Sequence, residues 1–556
     1  MRKGEYMDLK EKNPILKIII ISAVINTLVI TPFFNKDGVI IPKLFVIFST
    51  AMYVFPLIFS NYKTIINNRL LKMVIILHFI IILQSLIVMI VSSAPLEQQI
   101  FGRTGRGLGL ITIVSLSIVF VLSAVLINIE KIRGILFWLI ISSFISSFYS
   151  VMQSFGFDLI SWDTKTNGVI GTLGNPNFQS AFAAMALVPS FLYFFWIKKK
   201  SFLSFVLFTF FSYVILRTQS TQGIIAGAAS ISIALLIYFW YRSKIIFIVI
   251  AITGAVASIF ALSGMLSYGP LATYLYKVSI QSRGDFWRSA FSTANNHPIF
   301  GVGLDSFGDY SLKYGDEIAA GHPWAEYTDN AHNFFLHQAS TAGYPFAVLN
   351  FIVIFLVLYS FFRIQINLKK FDPNIVAIFS VWTVFQMVSV ISPENLVTMY
   401  WNAIISGALV GVAKNISGIS MDLNNSPETK ITYNRVVAVI SGLIACAILL
   451  PLFSTDRQQL IGMKTGDANL VMEATLKYPE STVRYNLIGR ELFESGLAQQ
   501  SLKISRSGVK FNPYSPALWA LILVNPNATI EERFEAKSKI LELDPLNKDV
   551  RAYVPE

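Results

Sequence analysis

Apolar segments long enough to cross a bilayer recur along most of this chain. A helix needs roughly 20 apolar residues to span about 30 Å of hydrocarbon, because it rises about 1.5 Å per residue. The pattern therefore predicts an all-α, polytopic membrane helix bundle of about 12 to 13 transmembrane helices. The segments lie at approximately residues 14–34, 39–61, 70–93, 108–128, 134–155, 177–197, 201–217, 223–241, 244–264, 342–362, 373–392, 395–413 and 434–454.

Two polar stretches interrupt or follow this pattern. One runs from about residue 266 to 331, and the other from 458 to 556. A connection of the first length is far longer than usual, and its aromatic residues, among them Phe286, Trp287 and Tyr310, favour an ordered loop of short helices over disorder. The chain is thus predicted to consist of a transmembrane domain, 1–457, and a C-terminal domain, 458–556.

The C-terminal stretch carries an internal repeat. Tyr478-Pro479, Asn512-Pro513 and Asp544-Pro545 recur at intervals of 34 and 32 residues, and Gly496 lies at the turn expected inside the first interval. This period is close to that of tetratricopeptide helical repeats, with Leu487 and Trp519 as packing positions. The alternative is an irregular helical cap. Helical repeats bind peptides or protein partners and do not themselves perform chemistry.

Composition agrees with a membrane protein. The chain has 54% hydrophobic and 14% charged residues and a mean hydropathy of +0.59, which excludes an ordinary soluble globular protein. Most of the net charge of +12 is explained by clusters such as Lys198–Lys200 in alternate loops, so it does not indicate nucleic-acid binding. With the N-terminus on the cytoplasmic side, this bias predicts a multi-pass membrane protein whose long loop and C-terminal tail are extracytoplasmic.

Titratable residues are concentrated in the long loop. Four of the five histidines lie between His297 and His337, near Arg283 and Arg288. On a helix, Arg283 shares a face with Phe286, Trp287, Ala290, Phe291 and Ala294, whereas Arg288 points away. An arginine on an apolar face requires an anionic partner. A diphosphate, which a guanidinium binds with two hydrogen bonds, and lipid headgroups are equally compatible with this spacing.

His332 lies where the loop becomes the tenth apolar segment. With Asp329 or Thr328 as N-cap, it would occupy the first turn of a helix, whose dipole keeps an imidazole neutral. A neutral histidine suits a general base, although a purely structural role is more common for a histidine at a helix start. His337 is predicted to be packed between helices.

Two further polar groups mark outer loops. Asn175 and Asn177 belong to a Gly-Asn-Pro-Asn turn and could bind sugar hydroxyls, although the turn needs no ligand. Arg103 and Arg106 flank Gly105 on the side of the membrane where positive charge is scarce, which indicates phosphate binding.

Several chemistries lack their sequence patterns. The chain has no CxxC, HExxH or P-loop motif, and Asp305 and Asp309 form only a weak metal motif. We therefore expect no metal or other cofactor. The apolar segments carry almost no charge, which argues against an ion-coupled transporter.

Together these stretches resemble the superfamily of O-antigen ligases and O-antigen polymerases, bacterial polytopic membrane glycosyltransferases. The resemblance covers roughly residues 100 to 414. It lies in residues 174–177, 283–287, 297–307 and 331–336 and in Gly343, taken in this order.

The resemblance implies metal-independent, inverting transfer of a glycan from undecaprenyl diphosphate to an acceptor hydroxyl. His332 and Arg283 would be catalytic, the first acting on the acceptor and the second on the departing diphosphate. The residues expected to bind the donor diphosphate or the glycan are Arg103, Arg106, Arg217, Gln222, Asn175, Asn177, Arg288 and Asn333. Gln222 stands where many members of the family carry an arginine, and Arg217, one turn earlier, could partly replace that charge.

The acceptor stays open at the level of sequence. The enzyme could be a ligase, a polymerase of the glycan or a protein O-oligosaccharyltransferase, and its partner could be a glycan, lipid or protein acceptor. The sugar, the processivity and the oligomeric state are likewise open. A hypothesis of another class is a non-enzymatic membrane scaffold or translocation component that recruits protein partners through the C-terminal repeats.

Overall fold

The computed structural model describes residues 13–160, 162, 168–266, 268–275, 278–322, 327–416 and 435–555. Throughout these residues the regular structure is helical, as the hydropathy pattern predicts. Residues 1–12 and Trp324, one of the aromatic residues of the long loop, lie outside the described residues.

Each of the predicted apolar segments contains a helix. Nine helices of the described part are long and apolar enough to cross a membrane, and four apolar helices are shorter. The exact number of spans stays a prediction, because the shorter helices have 15 to 17 residues and a full span takes about 20. The longer helices are Ile40–Ser60, Arg69–Val91, Ile129–Ser154, Pro176–Ile197, Thr221–Arg242, Lys244–Met265, Phe334–Leu368, Leu396–Lys414 and Arg435–Thr465, and the shorter are Pro14–Leu28, Leu110–Leu126, Ser201–Arg217 and Pro373–Ser389.

The helix after the long loop differs from the prediction at its start. It runs from Phe334 to Leu368, and its N-cap is Asn333, whose side chain accepts a hydrogen bond from the backbone of Leu336 at 3.1 Å. The prediction of Asp329 or Thr328 as N-cap was therefore wrong. His332 lies before the helix, in the left-handed region of backbone conformation with a φ of 52°.

The same helix is broken at Gly343. The backbone there has a φ of 86°, and a Cβ atom would lie 2.1 Å from the carbonyl oxygen of Ile299. The loop chain packs into this break, where the backbone of Tyr344 donates to the carbonyl of Pro298 at 2.8 Å and that of Val302 donates to the carbonyl of Ser340 at 3.0 Å. Glycine is thus required by both conformation and space, and the break ties the loop to the membrane helices.

The long loop is ordered around one long helix. Val278–Asn296 packs against Phe334–Leu368, so the loop is not built of short helices alone. Ala290 and Ala294 are buried as predicted, but Phe291 is 54% exposed, and its assignment to the packed face was wrong. The other helices of the long loop are Ala272–Leu275, Phe307–Tyr310 and Glu317–Gly321, and a further short helix, Leu96–Phe101, lies in the loop before helix Leu110–Leu126.

The C-terminal region is a stack of helix pairs. Its first residues continue the last apolar segment as one helix, Arg435–Thr465, so the predicted domain boundary after residue 457 lies within a helix. Successive helices pack on one another, and Gly496, with a φ of 79°, forms a turn between two of them. The tetratricopeptide assignment itself stays a prediction. The helices are Ala468–Leu476, Thr482–Glu494, Ala498–Phe511, Pro516–Leu523, Ile530–Leu543 and Lys548–Ala552.

Buried polar contacts join this C-terminal stack to the outer loops. Asp309 accepts hydrogen bonds from the side chains of Arg103 at 3.2 Å, Gln98 at 3.1 Å and Asn512 at 2.9 Å. Thr482 also donates to Gln98 at 3.1 Å. Because Asp309 and Arg103 are both almost fully buried, these bonds hold the stack in a defined position beside the loops.

Candidate functional site

A cavity of about 540 Å³ opens where the long loop, the membrane helices and the C-terminal stack meet. Its walls come from six separate parts of the chain, none of which would form a site alone. The lining residues are Arg103, Thr104, Asn177, Gln219, Ser220, Thr221, Gln222, Ser282, Arg283, Phe286, Tyr327, Thr328, Asp329, His332 and Val483. The cavity therefore brings together His332 and Arg283, the two residues that the sequence predicts to be catalytic.

His332 is held in one orientation by its neighbour Asn330. The backbone of His332 donates to the side-chain oxygen of Asn330 at 2.8 Å, and its Nδ1 lies 2.9 Å from the carbonyl oxygen of the same residue. The Asn330 amide in turn donates to Glu394 at 3.3 Å. On the other side the ring of Phe286 lies against the imidazole, with 5.3 Å between ring centroids.

These contacts define the protonation state of the imidazole. A carbonyl oxygen can only accept a hydrogen bond, so Nδ1 carries the proton and Nε2 keeps its lone pair. Burial lowers the pKa of His332 to about 4, and the charges of Arg106 and Arg283 act in the same direction. The side chain is thus neutral at neutral pH. The sequence predicted a neutral histidine but attributed it to a helix dipole; burial and nearby arginines are the cause.

Arg283 brings a positive charge into the cavity, and it has no counterion among the described residues. Helix Val278–Asn296 carries it on the same side as Phe286, and among the described residues no side chain forms an ion pair or hydrogen bond with it. Its Nε is buried and unpartnered, and burial lowers the pKa of the guanidinium. An unpaired buried charge costs free energy, so this position favours an anionic ligand in the cavity.

The other two predicted phosphate-binding arginines have partners in the protein. Arg106 forms two hydrogen bonds with Asp329, of 2.8 and 2.7 Å. Burial raises the pKa of the Asp329 carboxyl, but this ion pair more than offsets the effect and holds the pKa well below its usual range. Arg103 lines the cavity yet bonds Asp309 and the Tyr327 hydroxyl. Both arginines therefore hold cavity-lining side chains in place, Arg106 that of Asp329 and Arg103 that of Tyr327.

A polar edge of the cavity is formed by two helix starts. The side-chain amide of Gln222 donates to the carbonyl of Asn177 at 3.0 Å and to Ser392 at 3.3 Å, while its oxygen is buried without a partner in the described structure. Ser220 donates to the side chain of Asn177 at 2.7 Å. Gln222 and Asn177 thus lie where the sequence placed them, at the site, but Asn175 caps the helix that begins at Pro176.

Five predicted ligand-binding residues do not line this cavity: Arg106, which pairs with Asp329, and Asn175, Asn333, Arg217 and Arg288. Asn175 and Asn333 are N-caps of helices. Arg217 is exposed and donates to the carbonyl of Ser154 at 3.1 Å. Arg288 pairs with Asp285 at 2.7 Å and with Asp316 at 2.5 Å. Each of these side chains satisfies local backbone or carboxylate groups, which the sequence spacing does not reveal.

Several residues at or beside the cavity were not identified from the sequence. Asp329, near His332, is predicted from the sequence only as an N-cap, and Asn330 is assigned no role. The run of polar residues around this histidine is the sequence signal that could have identified both. Val483 and Tyr327 line the cavity through tertiary contacts alone. No group of three or more metal-binding side chains is found in the described part of the chain.

Comparison with known proteins adds one finding. No curated protein matches this chain. Residues 203–351, which extend from helix Ser201–Arg217 through the long loop into helix Phe334–Leu368 and include Gln222, Arg283 and His332, match the family model described as O-antigen ligase, and this match supports the O-antigen ligase superfamily.

Proposed function

We propose that this protein is a membrane glycosyltransferase that moves a glycan from an undecaprenyl-diphosphate donor to an acceptor hydroxyl. The observation that carries the proposal is that two residues line one cavity: His332, neutral and oriented, and Arg283, charged and without an ion-pair partner among the described residues. The first suits proton removal and the second suits an anion. The enzyme would act in a bacterial inner membrane, with the long loop and the C-terminal stack on the outer side.

Arg283 is proposed to bind the diphosphate of the donor. Its guanidinium can donate two hydrogen bonds to phosphate oxygens and neutralise the charge that grows on them as the glycosidic bond breaks. A donor already activated by a diphosphate needs no nucleotide. Gln222 and Asn177, on the polar edge of the same cavity, are proposed to contact the donor's phosphate or sugar groups.

His332 is proposed to be the general base. The acceptor oxygen attacks the anomeric carbon from the face opposite the diphosphate, the bond from that carbon to the phosphate oxygen breaks, and undecaprenyl diphosphate leaves with the electron pair. Nε2 of His332 takes the acceptor proton and later returns it to water. The anomeric configuration is inverted, because one displacement occurs, and a charged arginine takes the place of a metal ion at the leaving group.

The low pKa of His332 suits this sequence of events. Before the donor binds, the positive charges of Arg106 and Arg283 disfavour protonation of the imidazole. A bound diphosphate would supply negative charge beside them and raise the pKa, so the histidine becomes a stronger base when the substrate is in place. The base is then strongest in the complex that reacts.

The proposal is tested by measuring release of undecaprenyl diphosphate from a lipid-linked glycan by purified protein in nanodiscs. We expect His332→Ala to reduce the rate by about 10²- to 10⁴-fold, the usual contribution of a general base. His297→Ala is the control, since His297 belongs to the same loop but contacts Tyr314 at 2.9 Å and does not line the cavity. A fully active His332→Ala protein would contradict the proposal and favour the scaffold hypothesis.

A further inference from the structure

A second cavity lies beside the proposed active site. It has a volume of about 530 Å³ and runs along helices Thr482–Glu494 and Pro516–Leu523 of the C-terminal stack. It shares three lining residues, Arg103, Tyr327 and Val483, with the first cavity. The two spaces are therefore adjacent, and a ligand in this C-terminal groove can extend toward His332.

The walls of the C-terminal groove are mainly aliphatic. They include Val483, Leu487, Ala517, Ala520, Leu521 and Val524. A glycan carries hydroxyl groups around every ring, and each hydroxyl that leaves water without a partner costs free energy. Aliphatic side chains supply no such partners. The groove therefore fits the alternating side chains of a polypeptide better than it fits a polysaccharide.

One polar group in the groove suits a peptide backbone. The amide nitrogen of Asn486 donates to Ser515 at 3.2 Å, while its side-chain oxygen is buried and lacks a partner among the described residues. Because this oxygen has almost no accessible surface in its present orientation, it can accept a hydrogen bond from a backbone N–H of an extended chain only when the Asn486 amide turns toward the groove. Arg490, at the exposed side of the groove, forms only a loose pair with Glu494 at 3.6 Å.

Contacts between the C-terminal stack and the outer loops fix the position of the C-terminal groove relative to the cavity that contains His332. Asp309 bonds Arg103, which lines both spaces, and also Asn512, which lies between the helices of the C-terminal stack. Tyr514 stacks on Tyr310 of the long loop, with 5.2 Å between ring centroids. A segment bound in the groove would therefore stand at a fixed distance from His332.

We propose that the C-terminal groove binds an aliphatic segment of a polypeptide acceptor and presents a serine or threonine hydroxyl of that polypeptide to His332. This inference rests on the proposed function and names its acceptor as a protein. The groove supplies binding energy away from the reacting atoms, which positions the hydroxyl near the anomeric carbon of the donor. The new bond joins that carbon to the hydroxyl oxygen, and the hydroxyl proton goes to His332.

The test uses the full-length protein in nanodiscs and a library of dodecapeptides, each with one central serine among alanine, valine and leucine. Two quantities are measured: binding of the fluorescent library without donor, and glycopeptide formation with the lipid-linked glycan. Ala517→Trp fills the groove at an exposed position, and Val524→Lys is a second variant at another exposed position. Gln499→Trp, exposed and outside the groove, is the matched control.

We expect Ala517→Trp and Val524→Lys to weaken peptide binding and to raise the KM for peptide at least tenfold. The rate at which water replaces the peptide as acceptor, measured as release of undecaprenyl diphosphate without peptide, should be unchanged. Gln499→Trp should behave as the wild type. The inference is overturned if the wild-type protein binds no peptide, if the groove variants bind peptide normally, or if they impair polymerisation of the glycan instead. Peptide binding that depends on Ala517 without any release of undecaprenyl diphosphate would support the groove and refute the proposed function.

Discussion

Two arginines five positions apart on helix Val278–Asn296 should respond to the same substitution in opposite ways. Arg283 lies in the cavity and has no partner among the described residues. Arg288 is 41% exposed and pairs with both Asp285 and Asp316. Methionine keeps much of the apolar stem of either side chain and removes the charge, so Arg283→Met should abolish activity without loss of stability, and Arg288→Met should do the reverse.

The magnitudes follow from the partners. A hydrogen bond to a charged group contributes about 1.5–3 kcal/mol, so loss of two such bonds to the diphosphate should lower kcat/KM by roughly 10²- to 10⁴-fold. Arg283→Met also removes an Nε that is buried and has no partner among the described residues. Because a buried donor without a partner is destabilising, we expect the free energy of unfolding, measured without donor, to stay equal or to rise by up to about 1 kcal/mol. Arg288→Met removes two ion pairs that solvent partly screens, a loss of about 1 kcal/mol.

Both variants are compared with the wild type by undecaprenyl diphosphate release and by thermal unfolding in the same detergent. The informative result is the crossed pattern, because general damage to the fold would lower activity and stability together. If Arg283→Met destabilised the protein as much as Arg288→Met, the unpaired guanidinium would have a structural partner after all. If Arg288→Met lost activity at full stability, Arg288 would contact substrate as the sequence alone suggested.

Two further predictions concern His332 and the loop. Protonation of His332 removes the base, so kcat/KM, which reports the free enzyme, should fall as the pH drops through about 4, the pKa set by burial and two arginines. The fall in kcat should lie at higher pH, because bound diphosphate raises the pKa. Rates measured from pH 3.5 to 8 check this, and a fall in kcat/KM centred at pH 6.5 or above would contradict it. Gly343→Ala should lower the free energy of unfolding by more than about 2 kcal/mol, since it combines a positive φ with a Cβ 2.1 Å from the Ile299 oxygen. Gly254→Ala is the control in thermal unfolding, because a Cβ at Gly254 would have no atom within 4 Å. Equal stability of the two variants would contradict the steric argument.

The membrane helices were predictable because lipid imposes one rule along the chain. A segment of sufficient apolar length forms a helix that satisfies its own backbone hydrogen bonds, whatever its neighbours are. The predicted segments therefore match helices from Pro14–Leu28 to Arg435–Thr465. The start of the helix at Phe334 was missed because Asp329, Thr328 and Asn333 are all residues that cap helices, and only the packing at Gly343 and the pair between Asp329 and Arg106 decide among them.

The candidate site was predictable in its outline but not in its electrostatics. His332 and Arg283 were identified as candidates from their types and their positions in and beside the loop, and their catalytic roles were implied by the family resemblance. Whether an arginine is free or paired depends on carboxylates remote in sequence, as for Arg103, whose partner Asp309 is 206 residues away. Spacing along one helix could not reveal this.

By itself the sequence determined the all-helical membrane architecture, the long polar loop and the residue types available for chemistry, because hydropathy and helix periodicity are local properties. Only the tertiary structure decided which arginine of the cavity has no ion-pair partner among the described residues, why His332 is neutral, and that the C-terminal stack adds Val483 to the cavity wall. These are properties of burial and of distance between remote segments, which arise only when the chain is packed.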